Sequence, residues 1–579
     1  MVFVSPSCYP PLPDLPDSIT IAQFVNSEAH GRCPFAASRN PYTCGLTGKT
    51  YSGPEVLDRI DSLARALARR LGLNPAEGTE WDRVVAIYSL NTIDYVPLTH
   101  AVHRLSGIAT PASAAYSATE LEHQLRSSAA KALFTCVPLL KDALAAADAA
   151  AIPRDRVFLL PVPDAPLTSQ HAQFLSFDQL VAEGRHLPPL APLSWIKGQA
   201  ARQTAYLCYS SGTSGLPKAV KISHYNVIAN IAQFVTYDAS SRTRFGVTTR
   251  AELGVLPLCH IFGLVMVAHV SLYCGDSIVI LPRFNLTSAL AAIEKFKLNH
   301  LSVVPPMLIQ MLSNRDECAK YDLSSVTAIT SGAAPLGIET IENLLRLYPN
   351  WRIGQGYGMT ESSPCIMTTN ETDIFFGSSG SLLPGIKAKV IDAEGNEVTA
   401  LDTRGELFVQ SPSIVLGYLN NDRANAETFL WDTDGRWLKT GDEVLVRKSP
   451  QGNEHFFITD RIKELIKVKG NQVAPAELEA HLLSHPFVSD CAVIPVPDDR
   501  AGEVPKAFVV QSPQASGKST ADVTAAINKH VEDHKARHKR LKGGVEFLQV
   551  IPKSASGKIL RRVLKEKEAQ ARRTAGAKL

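Results

Sequence analysis

Two stretches of this chain combine residue types that can hold an anion against the backbone. Tyr209-Ser210-Ser211-Gly212-Thr213-Ser214-Gly215-Leu216-Pro217-Lys218 is a turn rich in glycine and hydroxyls. Its glycines permit positive φ and a close approach of N–H groups to a phosphate, Ser and Thr add donors, and Lys218 supplies a mobile positive charge. It is not a P-loop: G-x-x-x-x-G-K-[ST] needs a longer glycine spacing, and Pro217 precedes the lysine here. Alone, such a stretch reads equally well as a surface linker. The second, Gly354-Gln355-Gly356-Tyr357-Gly358-Met359-Thr360-Glu361, sets glycines at alternate positions. In a strand each costs entropy and packs nothing, so the pattern suits a backbone lying flat against a ligand. Other groups are ambiguous by themselves. His260 beside an apolar run is most often a core histidine, Asp442 after Gly441 is most often a turn former, and Lys558 sits in an ordinary Ser/Gly loop.

These groups need a scaffold to position them. Residues 204–209 read as a strand and 224–234 as a helix, which makes the first stretch a strand-to-helix turn. Residues 1–50 show little periodicity, whereas Val56, Ile60, Leu63, Leu67 and Leu71 recur at helical spacing. Apolar strands at 84–89, from Ile108, at 132–135 and at 157–160 alternate with amphipathic helices, which predicts α/β layers around a largely parallel sheet. Residues 242–250 read as a polar connection into a strand that ends at Pro257 and delivers His260 and Phe262 to a loop. Strand character returns at 302–306, 328–337, 405–419 and 437–442, the last closing in a turn. The run 458–470 interleaves charges with apolar residues up to Gly470, then 473–483 and 521–534 read as helices and 491–496 and 507–511 as strands. The basic run 535–542 is a solvated helix end and loop.

Composition bounds the function classes. The chain has 579 residues, 45% hydrophobic and 20% charged, enough for more than one core. Its 59 basic and 56 acidic residues leave +3, with no basic stripe for nucleic acid. Ten cysteines without C-x-x-C pairs suit free thiols in a reducing compartment. No stretch has the roughly 18 apolar residues of a membrane span, and the proline-rich first 20 residues make a poor signal peptide.

Taken together and in order, these motifs resemble the adenylate-forming superfamily of acyl-CoA synthetases, luciferases and carrier-protein adenylation domains. The likeness is closest to coumarate-CoA ligases and, nearer still, to fungal peroxisomal aryl-CoA ligases of the phenylacetate-CoA ligase kind. It covers nearly the whole chain. The resemblance implies a large N-terminal adenylation domain of layered α/β subdomains over 1–460, a hinge at 461–463, and a small mobile α+β domain over 464–579. It implies an ATP-dependent ligase that makes an acyl-AMP, then a CoA thioester. Ser210, Ser211, Gly212, Thr213, Ser214, Gly215 and Lys218 would hold the departing pyrophosphate, with Gln355, Gly356, Tyr357 and Gly358 against the adenine. Thr360 would contact the α-phosphate and Glu361 would hold Mg²⁺, which prefers carboxylate, water and phosphate oxygens. Asp442 would accept from the ribose, Arg461 would reach ribose or phosphates, and Lys467 and Gln472 would approach the acyl-adenylate. Lys558 is the catalytic lysine by this likeness, Lys463 the pivot, His260 a movable border of the acyl pocket, and Lys469-Gly470 the face of the CoA tunnel.

Phe262, Val265, Ser302, Thr330, Gly332, Ala333, Pro364 and Ile366 fall where the family lines its acyl pocket. Coumarate-CoA ligases commonly carry Asn and Lys where this chain has Val265 and Thr330. The pocket is therefore expected to be mostly apolar and to favour arylacetates or medium-length acyl chains over hydroxycinnamates. Ala219 replaces a frequent glycine. A luciferase-like oxygenase would share every motif, a carrier-linked adenylation unit or another non-CoA acceptor would share most, and a non-catalytic acyl- or nucleotide-binding protein should lack Lys558 or Glu361. Ala577-Lys578-Leu579 differs from the peroxisomal S-K-L address by one small-for-small change. That predicts an import-receptor partner and a peroxisomal matrix location, with the cytoplasm as the alternative.

Overall fold

A computed structural model describes residues 1–210, 217–469, 471–498, 500–554 and 557–576. Val84–Tyr88 forms the middle of a seven-stranded sheet, flanked in parallel by Ile108–Ala112 and Ala132–Thr135. All three strands are buried along their whole length, as their unbroken apolar sequence requires when both faces are covered. The helix Gly53–Leu71 matches the predicted periodicity. Ser52 caps it by accepting from the Glu55 N–H at 3.3 Å, and Gly72 ends it at φ +65°.

At one side of this sheet the chain departs from expectation. Thr204–Ser210 is followed by an antiparallel strand, Lys218–Ser223, before the helix His224–Arg244 begins. The stretch 209–218 therefore begins and ends in paired antiparallel strands, with Ser210 opposite Lys218. The alternation in Lys218–Ser223 is too short to separate from the helix behind it by period alone.

A second sheet runs parallel from Tyr42–Cys44 through Ser277–Ile280, Ala251–Gly254, His300–Val303, Ala328–Ser331 and Arg352–Gly358, with antiparallel Cys365–Thr368 beyond. The strand before His260 ends at Gly254, not Pro257, and Phe262 opens a π-helical segment, Phe262–His269, instead of lying in a loop. Residues 242–250 are not a plain polar connection. Arg250 is buried, and Arg242 in the last turn of the preceding helix is half-buried, in ion pairs with Asp238, Asp276 and Glu371. Between the two sheets lies a group of fully buried histidines: His100, His103, His224 and His269.

A third, antiparallel sheet joins Phe3–Val4 to Lys387–Ile391, and then Gly405–Gln410, Gly435–Lys448 and Glu454–Arg461. Asp442 lies inside the long strand Gly435–Lys448, beside a bulge and Gly441 at φ +75°, not in a terminal turn. The fourth sheet, built on Val488–Asp498 and Gly502–Gln511, belongs to a separate apolar core running from Ile466 to Leu564. The larger core runs from Phe3 to Phe456, so the expected hinge residues 461–463 fall between the two in sequence.

Candidate active site

The alternating glycines do form a strand, Arg352–Gly358, and its neighbours explain them. A Cβ on Gly354 would meet Thr369 Cβ at 3.0 Å, and one on Gly358 would lie 2.0 Å from the Pro364 carbonyl oxygen. Gly358→Ala must therefore displace backbone, at a cost of about 1 to 3 kcal/mol. A tenfold or greater loss of acid-dependent pyrophosphate release should accompany a lower denaturation midpoint; wild-type values for both would show that the strand tolerates a side chain.

Within this strand Tyr357 reaches Asp442. The phenol donates to Asp442 Oδ2 at 2.6 Å, and Arg461 Nε stands 3.3 Å from Oδ1. Asp442 and Arg461 are cross-strand partners, so the third sheet sets this pair by register. Burial raises the Asp442 carboxyl above its ordinary value, with Arg461 opposing the shift. Glu361 is buried in the short helix after the glycine strand, and its Oε1 accepts from Ser210 Oγ at 3.2 Å and Tyr418 OH at 2.8 Å. Lys218 Nζ lies over the Tyr418 ring, 4.9 Å from its centre. Both donors to Glu361 converge on Oε1. A single buried carboxylate with one oxygen left for a cation suits Mg²⁺ completed by phosphate and water.

Lys558 reaches this cluster from the second core. Gly557, at φ +81°, lets its loop close on Val304, 3.2 Å from where a Cβ would stand, and Ser554 Oγ accepts from the Lys558 N–H at 3.1 Å. Burial pulls the Lys558 ammonium down to about 8, Arg461 adds to that, and Glu464, Asp442 and Glu361 oppose it. The imidazole of His260 is pulled down to about 4 by burial and then by the charge of Lys558. Three residues not singled out from sequence support the loop. Arg561, just behind Lys558, pairs with Glu464 at 3.0 Å and Glu479 at 2.7 Å, and burial lifts Glu479 to about 7.

Not every expected residue joins the cluster. Gln355 spends its side-chain oxygen on the Leu336 N–H at 2.7 Å, so it fixes the neighbouring turn instead of facing a nucleotide. Lys467 and Gln472 are exposed hairpin partners, and among the described residues no hydrogen bond ties either side chain to Asp442 or Lys558. Lys463 and Lys469 are exposed, the latter at φ +49°. Thr360 begins the short helix that carries Glu361. Ser211, Gly212, Thr213, Ser214, Gly215, Gly470 and the terminal Ala577-Lys578-Leu579 lie outside the described residues.

In the expected acyl pocket, Phe262 closes on Gly332, whose added Cβ would stand 2.9 Å from the ring. Ser302 and Thr330 are register partners on adjacent strands. Val265 and Ile366 have no exposed surface and back the pocket from the core, with Pro364 buried beside them, while Ala333 is exposed at φ +67°. Sequence reading missed His300. Its Nδ1 is bound to Glu252 Oε2 and its Nε2 lies 3.2 Å from Thr330 Oγ1, next to a small cavity bordered by Phe234 and Tyr237. Glu252 Oε2 accepts from the Nδ1–H, and Nε2 shares a hydrogen bond with the Thr330 hydroxyl.

Comparison with known proteins agrees with this geometry. Residues 36–419 match the model of the AMP-binding enzymes, and 477–558 match that of the AMP-binding enzyme C-terminal domain. The acyl-CoA ligase easD of Emericella nidulans is 41% identical over 98% of this chain and 100% of its own length. The acyl-CoA ligase AFT1-1 of Alternaria alternata is 40% identical over 98% and 97%. The fold is that of the anthranilate CoA ligase AuaEII, solved with anthranoyl-AMP, at TM-score 0.79 and 24% identity over 96% of this chain and 98% of that one. The chain thus belongs to the AMP-binding enzyme family, as an AMP-forming acyl-CoA synthetase that links a carboxylic acid to CoA through an acyl-AMP.

Proposed function

We propose that this cleft activates an apolar aryl or medium-chain carboxylic acid with Mg²⁺ on Glu361, in the service of secondary metabolism. One observation carries the reading: Lys558 reaches, half-buried, from the second core into the field of Arg461, Asp442 and Glu361 on the nucleotide side and of His260 on the acyl side. A carboxylate and ATP are both anions, so the first step needs their charges neutralised and their reacting atoms aligned. Lys558 bridges the acid oxygen and the α-phosphate, Asp442 fixes the ribose, and Tyr357 stacks on the base while Asp442 orients it. Glu361 would hold Mg²⁺, which would draw charge from the phosphate oxygens when bound. The stretch 210–218 takes the pyrophosphate. The CoA thiolate then attacks the same carbonyl and AMP leaves, after rotation about Lys463 withdraws Lys558 and brings in Lys469 and Gly470. The terminal Ala577-Lys578-Leu579 directs the chain to the peroxisomal matrix through its import receptor.

Thr330 already hydrogen-bonds with His300, so a buried phenol must compete with the imidazole for that hydroxyl. Leaving it unpaired costs about 1 to 3 kcal/mol, roughly five- to 150-fold in kcat/KM. Cinnamate or phenylacetate should therefore outperform coumarate. Pyrophosphate release with ATP and Mg²⁺, measured across an acid panel with and without CoA and with thioester followed by mass, tests the reading. A preference for coumarate would overturn the substrate assignment, and release without thioester would point to another acceptor. Lys463→Pro should retain pyrophosphate release while thioester formation stops; loss of both steps would remove the pivot role.

A further inference from the structure

Away from the cleft, His481 lies on the helix Pro475–Leu482, and His530 and His534 lie on the final turns of the helix Thr520–His534. Four residues apart, His530 and His534 share one helix face, and that face meets His481. One ring nitrogen of each lies within 4.8 Å of one from each of the others. The His481 and His530 rings stack 4.1 Å apart, and the His534 ring is 5.4 Å and 5.2 Å from them.

The hydrogen bonds give a second, independent indication. His481 Nε2 is 3.2 Å from the His530 carbonyl, and His530 Nε2 is 3.2 Å from the His481 carbonyl and 3.1 Å from Ser484 Oγ. His534 Nδ1 is 2.9 Å from the His530 carbonyl. A carbonyl only accepts, so each of these nitrogens carries the proton and each neutral ring keeps a lone pair on its other nitrogen. One N–H held by backbone and a lone pair on the other nitrogen is how imidazoles bind metal; the His481 and His530 rings, parallel within 4°, must tilt apart for their in-plane lone pairs to meet on one ion. Burial, reinforced by neighbouring histidine and lysine charges, holds His481 and His530 below the ordinary histidine range. Of the charges facing the group, Lys535 and Lys539 are both paired with Glu477, and Asp533 lies on the same helix as His530. His485, with its ring 5.1 Å from His530, accepts from the Phe487 N–H and stands apart.

We propose that His481, His530 and His534 bind one late-transition divalent cation, represented by Zn²⁺, which clamps the two helices. Three borderline-soft nitrogens suit Zn²⁺ and its neighbours Cu²⁺ and Ni²⁺, with water in the remaining position. The clamp bears on the lysine loop. The helix carrying His481 also gives its Ala476 N–H to Asp460 at 3.1 Å, and its Glu479 to Arg561 behind Lys558.

The test uses the full chain stripped with chelator and titrated with ZnCl₂ by calorimetry. Wild type should bind one equivalent. His534→Gln, a change at an exposed helix end, should weaken binding roughly tenfold or more, by analogy with the cost of disturbing a metal-ligand shell. His530→Gln/His534→Gln should abolish it while leaving the circular dichroism spectrum intact. Co²⁺ loading should give ligand-field bands without a thiolate charge-transfer band. Unchanged binding in His534→Gln, equal stoichiometry in the double variant, no binding by wild type, or a thiolate band would each overturn the site.

Discussion

Lys558→Met is expected to lose acid-dependent pyrophosphate release by on the order of a thousandfold and, in the same protein, to unfold at a higher denaturant concentration. The two effects share a cause. The native ammonium has a pKa of about 8, below the 10.5 of free lysine. Below pH 8 both folded and unfolded chains carry the charge, and the folded chain bears the full cost of burying it, at most about 3 kcal/mol. Raising the pH through the interval from 8 to 10.5 relieves that cost, and methionine removes it at neutral pH while keeping the apolar stem. Stability measured without ATP or acid should therefore rise in the variant, and the wild type should gain on it above about pH 8. A variant less stable than wild type at neutral pH would mean that the charge is held by Glu464, Asp442 and Glu361 more firmly than burial opposes it.

Mild acid should unfold this enzyme more readily than the ordinary carboxylate titration of a protein its size. Burial, with mutual repulsion of any charges they gain, holds His103 at about 3, His269 at about 4, and His100 and His224 well below 6.5. The carbonyls of Ala205 and Leu264, which accept from His103 and His269, oppose the shift without overcoming burial. Tyr206 and His100 meet His269 Nε2 at 3.1 and 3.4 Å, while His103 Nδ1 and His224 Nε2 have no partner among the described residues. For a depressed pKa the stability is fully present above the unfolded value. Below about pH 6.5 the unfolded chain takes up protons that the native chain refuses, and stability falls progressively toward pH 4. His269 alone then forfeits about 3 kcal/mol. The other three histidines add losses of the same sign, against the roughly 5 to 15 kcal/mol that sustains a typical domain. Urea titrations at about pH 7.5, 6 and 5 should show the midpoint collapsing, and His269→Gln should flatten that dependence. Equal slopes in the two proteins would assign the acid sensitivity to carboxylates instead.

The motifs that carry chemistry were readable because each constrains the backbone or side chain beyond what packing asks. Glycines at 354, 356 and 358 leave room for Thr369, Thr368 and the Pro364 carbonyl, and nothing in a stable strand would otherwise select them. The elements between motifs were less legible where local pattern and long-range pairing compete. Lys218–Ser223 is a strand because it pairs with Thr204–Ser210 and Gly417–Tyr418, the latter about 200 residues downstream, and no local period announces that. Arg242 and Arg250 looked like solvated loop residues because their partners Asp276 and Glu371 lie far along the chain. His300, Glu479 and Arg561 escaped notice for the same reason: each is an ordinary residue in its own segment and acquires its role only from what folds against it.

The two-residue strand Phe3–Val4 has its partner at Lys387–Ile391. At a synthesis rate of about 5 to 20 residues per second, the ribosome needs roughly 20 to 80 s to make the intervening chain. Phe3–Val4 thus waits until about two-thirds of these 579 residues have been made before it can seal the third sheet. A bulky insertion just before Phe3 would burden this step, so yield in an expression host should respond to it more than the small size of that strand suggests.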